Sequence, residues 1–305
     1  MSSKRIREKA VRKTPVLQDK IFFGSCYGVI LFLTILVLYP IIYVLSASFS
    51  SPTALAAGKV WLYPVDFSLD GYKAVFNYEK IWIGYRNTII YVIAGTLINV
   101  TMTLFCAYPM ARKTLPGRSA LMGMFTFTML FGGGMIPNYM LMKNLGIMNT
   151  VWAMLLPGAM SVYNMIVART FLQNNIPEEL LDAAKIDGCD DFRFFSQIVL
   201  PLSKAIIAVL ALWYAVGHWN AYFNAFLYLK DYKLYPLQIF LKDVLVANEF
   251  SADDMMDPET IIALTNMKLL LKYSLIVVSV VPLFSFYPFV QKYFVKGVTI
   301  GSVKG

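Results

Sequence analysis

One histidine and three cysteines are all that the chain offers in 305 residues. A lone imidazole and three scattered thiols cannot build a metal cluster or a nucleophile–base triad. No G-x-x-x-x-G-K-[ST] phosphate loop occurs, so ATP binding by that route is excluded. Gly132-Gly133-Gly134 has no lysine after it and lies inside an apolar run, which suits a helix break or close helix packing better than a phosphate cradle. Cys26 and Cys106 sit in apolar runs and Cys189 in a polar stretch, so no disulfide framework is expected. Charged residues are only 15% of the chain.

What is abundant is apolar. Hydrophobic residues make up 58%, above the roughly 45–50% of soluble domains, and mean hydropathy is +0.60. The excess is gathered in six blocks, 21–45, 87–111, 119–142, 150–170, 205–229 and 270–291. Each is long enough for a helix to cross about 30 Å of hydrocarbon. None contains Asp or Glu, whereas proton- and sodium-coupled carriers usually place carboxylates there. His218 alone reads better as a neutral hydrogen-bonding group than as a proton relay. Prolines 40, 109, 137, 157, 282 and 288 fall in or at the ends of blocks, which spanning helices tolerate. The expected fold class is an all-α membrane protein with six transmembrane helices.

Basic residues set the orientation. Residues 1–20 hold Lys4, Arg5, Arg7, Lys9, Arg12, Lys13 and Lys20; Arg112, Lys113 and Arg118 follow the second block; Lys292, Lys296 and Lys304 follow the last. With six spans these fall on one side, so both termini are expected in the cytoplasm. The acid-rich segment at about 228–268 then lies outside. The net charge of +9 reflects this topology, and a nucleic-acid partner is not expected.

A polar island at about 172–204 lies on the cytoplasmic side. Asn174, Asn175 and Pro177 read as a helix start, with Glu178 and Glu179 in the first turn where the helix dipole favours them. Leu180, Leu181, Ala183, Ala184 and Ile186 give an apolar stripe, and Gly188 is placed to stop the helix. Asp190 or Asp191 caps a second short helix through Phe192, Phe195, Ile198 and Val199, and Pro201 marks the return to the membrane. The pattern describes a compact knob for a soluble partner. It equally describes an amphipathic hairpin lying on the headgroups.

The segment resembles the E-A-A-x-x-x-G signature of binding-protein-dependent ABC importer permeases. Asp182-Ala183-Ala184, Asp187-Gly188 and Ile198-Val199-Leu200-Pro201 carry the likeness, with Asp182 standing for the usual Glu. Phe67-Ser68-Leu69-Asp70-Gly71-Tyr72, Arg86-Asn87-Thr88, Met135-Ile136-Pro137, Lys143-Asn144-Leu145-Gly146, Trp219-Asn220 and the ending from Lys292 to Gly305 resemble the carbohydrate-uptake branch, including the maltose-type second permease and lipoprotein- and oligosaccharide-associated permeases.

The resemblance implies a type I ABC importer permease fold in a bacterial inner membrane. It implies a basic N-terminus at 1–20, a permease domain at 21–291 and a cytoplasmic tail at 292–305. The implied partners are a second homologous permease, a dimer of ATPase subunits that holds ATP and Mg, an extracytoplasmic solute-binding protein, membrane lipid and a sugar, with no cofactor on this chain. Glu178, Glu179, Asp182, Ala183, Ala184, Asp187, Gly188 and Pro201 would form the ATPase-coupling loop. Sugars are held by aromatic faces with amide and hydroxyl partners, and Tyr214, His218, Trp219, Asn220, Tyr222, Phe223 and Asn224 supply that set, Asn220 and Asn224 four apart as on one helix face. Asn138, Tyr139, Tyr163 and Asn164 are weaker members of it. Aromatic packing between helices accounts for the same residues. An importer of another solute, or an ATP-independent carrier, is the alternative.

Overall fold

A computed structural model of the chain describes residues 17–246 and 258–300. The basic residues within 1–16, the acids within 247–257 and the last five residues lie outside that range. The described residues form helices and connecting turns, with no strand among them.

Among the described residues, three helices are long and apolar enough to cross a membrane: α1 (Leu17–Ser48), α4 (Glu79–Ala111) and the part Thr265–Ser285 of α15 (Pro258–Ile300). Two bent pairs bring the number to five if each is one span. The block at 119–142 is α5 (Arg118–Leu130) and α6 (Met135–Asn144), which meet at 109° across the glycine run. Gly134, at φ 86°, takes a left-handed turn that a side chain disfavours. The second pair bends by 80° at Ser203, joining the segment Asp191–Leu202 to α12 (Lys204–Trp219). The block at 150–170 is no single helix. It holds α7 (Trp152–Leu155), a turn at Gly158, and then α8 (Val162–Asn175).

Between these lie α2 (Pro52–Ala56) and α3 (Asp70–Asn77). Beyond α12 come α13 (Phe223–Tyr228) and α14 (Leu237–Val246). The stretch expected as an exported loop therefore contains an ordered helix. Leu237 and Phe240 of α14 are buried against α4 and α15. The tail expected from residue 292 is also helical, because α15 runs through to Ile300 without a break at 291.

The strut of the molecule is α4. At about 1.5 Å per residue its 33 residues reach roughly 50 Å, well beyond the hydrocarbon thickness. It packs on α12, α8 and α14. Its first turns grip the 230–237 segment. Asn87 donates to the carbonyls of Lys233 and Tyr235, Tyr91 donates to Leu234, and Thr88 accepts from the Leu237 amide. At the same pole Tyr72 of α3 meets the Ser48 hydroxyl at 2.8 Å, and Gly71 lies so close to Ser274 and Leu270 of α15 that no Cβ would fit. Ser68 and then Lys73 hold the exposed Asp70 carboxyl below its ordinary range.

Along most of its length α1 touches nothing else among the described residues. Residues 18–42 are exposed apart from Cys26, while Ser46, Ala47 and Ser48 are buried where the helix meets α15. A helix of this composition is stable only in lipid or against another apolar helix, since water would face hundreds of square ångströms of hydrocarbon.

Candidate functional site

The polar island folds onto the last turns of α4, at the pole opposite the 230–237 segment. It begins with α9 (Glu178–Ile186). The asparagines expected to cap this helix do not. Asn174 and Asn175 are still inside α8, and the Asn175 amide donates back to the Phe171 carbonyl. The extended backbone of Pro177, at ψ 147°, makes the start instead. Proline stands one place earlier than expected because Ile176 has already left the helical region.

The stop at Gly188 is as expected. The glycine sits at φ 76°, its amide donates to the Lys185 carbonyl, and the Cys189 amide donates to Ala184. This pair of bonds is the Schellman closure, which needs a left-handed residue at that position. Asp190 then accepts from the Arg193 amide at 2.7 Å and caps α10 (Asp191–Phe194). A π-helical turn at Phe195–Val199 leads into α11 (Leu200–Leu202), which contains Pro201. Proline lacks the N–H that would continue the i→i−4 ladder, and the wider turn just before it absorbs that loss.

Leu181, Ala184, Phe194, Phe195 and Val199 bury themselves in a core shared with α4, α8 and α12. Ala183, Asp182, Asp187 and Glu178 stay exposed. So do Ile186, at 87%, and Phe192, at 71%. The stripe read from sequence thus divides: one edge anchors the loop, and Leu180, Ala183 and Ile186 present an apolar edge with nothing on it.

Sequence reasoning used Arg112 and Lys113 only for topology, yet both bind this loop. Arg112 pairs with Asp191 at 3.1 Å, and Lys113 pairs with Glu178 at 3.3 Å. Arg169, Gln173 and Arg118 donate to the carbonyls of Met110, Ala111 and Arg112, capping the end of α4. A cleft of about 470 Å³ remains between Tyr108, Arg112, Gln173, Pro177, Glu178 and Phe194.

The residues read as a sugar path do not gather in one place. Tyr214 is buried, with its hydroxyl 2.7 Å from that of Thr103 and accepting from the Ser161 amide. His218 Nε2 lies 3.0 Å from Asn99 Oδ1, and the Asn99 amide donates to the Gly158 carbonyl. Trp219 is buried and donates to the Ser279 carbonyl. These three hold helices together. Asn220, Tyr222 and Phe223 are exposed, and Asn224 is half-buried.

Asn220 and Asn224 share no helix face. The Asn220 side chain donates to the Val216 carbonyl, α12 ends at Trp219, and α13 starts afresh at Phe223. An asparagine that binds the preceding turn in this way competes with helix continuation. Asn138 is exposed, Tyr139 stacks near Tyr228, Tyr163 lies beside Trp213, and Asn164 is buried.

Replacing Asn99 by Ala strips a partner from both His218 and Gly158. The expected cost is about 1–2 kcal/mol, between the soluble and membrane values for a lost buried bond. A thermal-shift assay in detergent should show a lower midpoint, and an unchanged midpoint would mean the bonds contribute nothing.

A family model described as "Binding-protein-dependent transport system inner membrane component" matches residues 81–300. The chain is 37% identical over 296 residues to the polygalacturonan/rhamnogalacturonan transport system permease protein YtcP of Bacillus subtilis (strain 168), covering 95% of this chain and 100% of that one. It is 39% identical over 266 residues to Protein LplC of the same organism, covering 87% and 89%. Among solved structures it is similar to a chain from a bacterial ABC transporter involved in the import of the acidic polysaccharide alginate. That likeness has a TM-score of 0.84 at 31% identity and covers 92% of this chain and 99% of the other.

Proposed function

The chain belongs to the binding-protein-dependent transport system inner membrane components, and from that membership we propose that it is one permease subunit of an ATP-driven oligosaccharide importer. It spans the inner membrane six times with both termini in the cytoplasm. A second permease completes the path, and a pair of ATPase subunits below binds ATP and Mg. A binding protein outside delivers the sugar. The bent pair of α5 and α6, the helix α12 and the broken run at 150–175 then lie beside the path or against the second permease, where irregular backbone at membrane depth is tolerated.

One observation carries the coupling assignment. Ile186 and Phe192 stand exposed on a loop that is otherwise firmly anchored. A rigid knob with an uncovered apolar edge fits a cleft on a soluble partner, and closing of the ATPases would push it. Alternating access about a midplane site follows from that push. Ile186→Asp should weaken capture of the ATPase subunit by about 10- to 100-fold, the value of burying one large aliphatic side chain. Pull-down of the ATPase at graded concentrations measures this, and an unaltered affinity would place the contact elsewhere.

Carbohydrate as the substrate class is supported by the relatives named for polygalacturonan, rhamnogalacturonan and alginate. Asn220, Tyr222 and Asn224 are the residues we place on its path, since Asn220 and Tyr222 are exposed and Asn224 half-buried at the break between α12 and α13. Reconstitution tests the whole reading. Vesicles holding both permeases, the ATPase and binding protein should take up oligogalacturonides only with ATP, whereas gradient-driven uptake by this chain alone would support a carrier.

A further inference from the structure

Both covalent links of the coupling loop are breaks in helical structure. On one side Ile176 and Pro177 are extended, so α8 and α9 are not continuous. On the other, the π-helical turn at Phe195–Val199 is followed within a few residues by the 80° bend at Ser203. Neither link is a stiff rod that would carry a push along the chain. The firm connection lies sideways. Phe105 and Tyr108 lie on one face of α4 at helical spacing, and Arg112 is the extended residue that caps the end of the helix. Phe195 stacks on Phe105 at 5.5 Å and meets Tyr108 at 5.0 Å. The Arg112 guanidinium lies 4.7 Å from the Tyr108 ring and 5.3 Å from the Phe194 ring, donates to the Tyr108 hydroxyl, and pairs with Asp191. Its side chain is only 17% exposed.

We propose that Arg112 is a positioning residue that fastens the coupling loop to α4, so that a displacement of the loop moves α4 directly rather than through α8 or α12. The assignment rests on the function proposed above. The ion pair alone would be a weak fastener, because the Asp191 carboxylate is 71% exposed and water screens it. The planar cation against the Tyr108 and Phe194 rings supplies the grip, which lysine cannot reproduce. Since α4 spans the membrane and holds the 230–237 segment at its far end, the same motion reaches the opposite face.

The test uses the complete complex in nanodiscs. Arg112→Gln should leave ATPase co-purification and basal ATP hydrolysis close to wild type. Stimulation by loaded binding protein and uptake should both fall about tenfold, within the usual range of coupling energies. Arg112→Lys, which keeps the charge, should fall with it. Wild-type stimulation in Arg112→Gln overturns the proposal. Loss of ATPase co-purification in the unmodified complex strikes instead at the coupling loop itself. A second measurement needs no change at Arg112. With the native cysteines replaced, spin-label pairs at Lys185→Cys with Thr114→Cys and at Lys185→Cys with Lys204→Cys report distances with and without nucleotide. The first distance should stay fixed while the second changes. A first distance that shifts by more than the second refutes transmission through α4.

Discussion

Gly188→Pro is expected to yield a chain that inserts, assembles poorly with its ATPase and transports nothing measurable. The glycine sits at φ 76°, and proline is locked near −65°. It would also delete the amide that donates to Lys185. The Schellman closure cannot form, so α9 and α10 lose their fixed angle and the Ile186 edge is misdirected. Uptake should fall by roughly two orders of magnitude, the upper part of the range for coupling between sites. Gly188→Ala is the graded control. A left-handed alanine costs about 1–2 kcal/mol, and nothing lies within 4 Å of its Cβ, so partial function should remain. Full stimulated transport in Gly188→Pro would remove the coupling role from this corner.

The second large effect lies in the membrane. A Cβ at residue 95 would lie 2.3 Å from His218 Nε2 and 2.4 Å from Cε1, so α4 and α12 meet there through a bare backbone. Gly95→Leu should force the two helices apart. Overpacking of this kind costs about 3 kcal/mol at the upper end, which lowers the melting midpoint by roughly 5–10 °C for a chain of this size. Purification yield should fall with it. Smaller changes separate the cause: Gly95→Ala should destabilise, and adding His218→Ala should relieve part of the loss. If the double variant is no better than Gly95→Ala, the ring is not what fills the space.

Much of the fold could be read from the residues because it is written in long-range composition. Apolar runs free of carboxylates, the glycine run at 132–134 and the turn glycine at 188 each act through local backbone physics or transfer to lipid. The runs at 21–45, 87–111 and 270–291 lie within single helices and α9 ends before Gly188, whereas the runs at 119–142, 150–170 and 205–229 are bent or broken. The misreadings share another cause. Asn175 looked like a cap, yet its amide was taken by the turn behind it. Asn220 and Asn224 looked like one face until the Asn220 side chain took the Val216 carbonyl and the helix ended. Competition of this kind is decided by which backbone groups are free, and that depends on tertiary packing.

The Arg112 clamp was hidden for a related reason. Its partner Asp191 is 79 residues away, and a basic residue beside a membrane block already has a sufficient explanation in topology. The signal that could have shown it is the Phe105, Tyr108, Arg112 spacing at the end of a spanning helix. Such a stripe of two rings and a guanidinium has more to offer a neighbour than a lipid headgroup does. Similarly, Tyr214, His218 and Trp219 have the chemistry of a sugar site and are used for helix packing, while the less conspicuous Asn220 and Tyr222 are left open.

Cross-linking from residue 186 probes the coupling loop most directly. Ile186→Cys, in a cysteine-free chain assembled with its partners, should join to a cysteine in the ATPase cleft, and the yield should change when ATP binds. Membrane-impermeant reagents should reach residue 186 from the cytoplasmic side alone. Labelling of residue 186 from outside intact cells, or a fully assembled complex in which it joins to no ATPase subunit, would contradict the account.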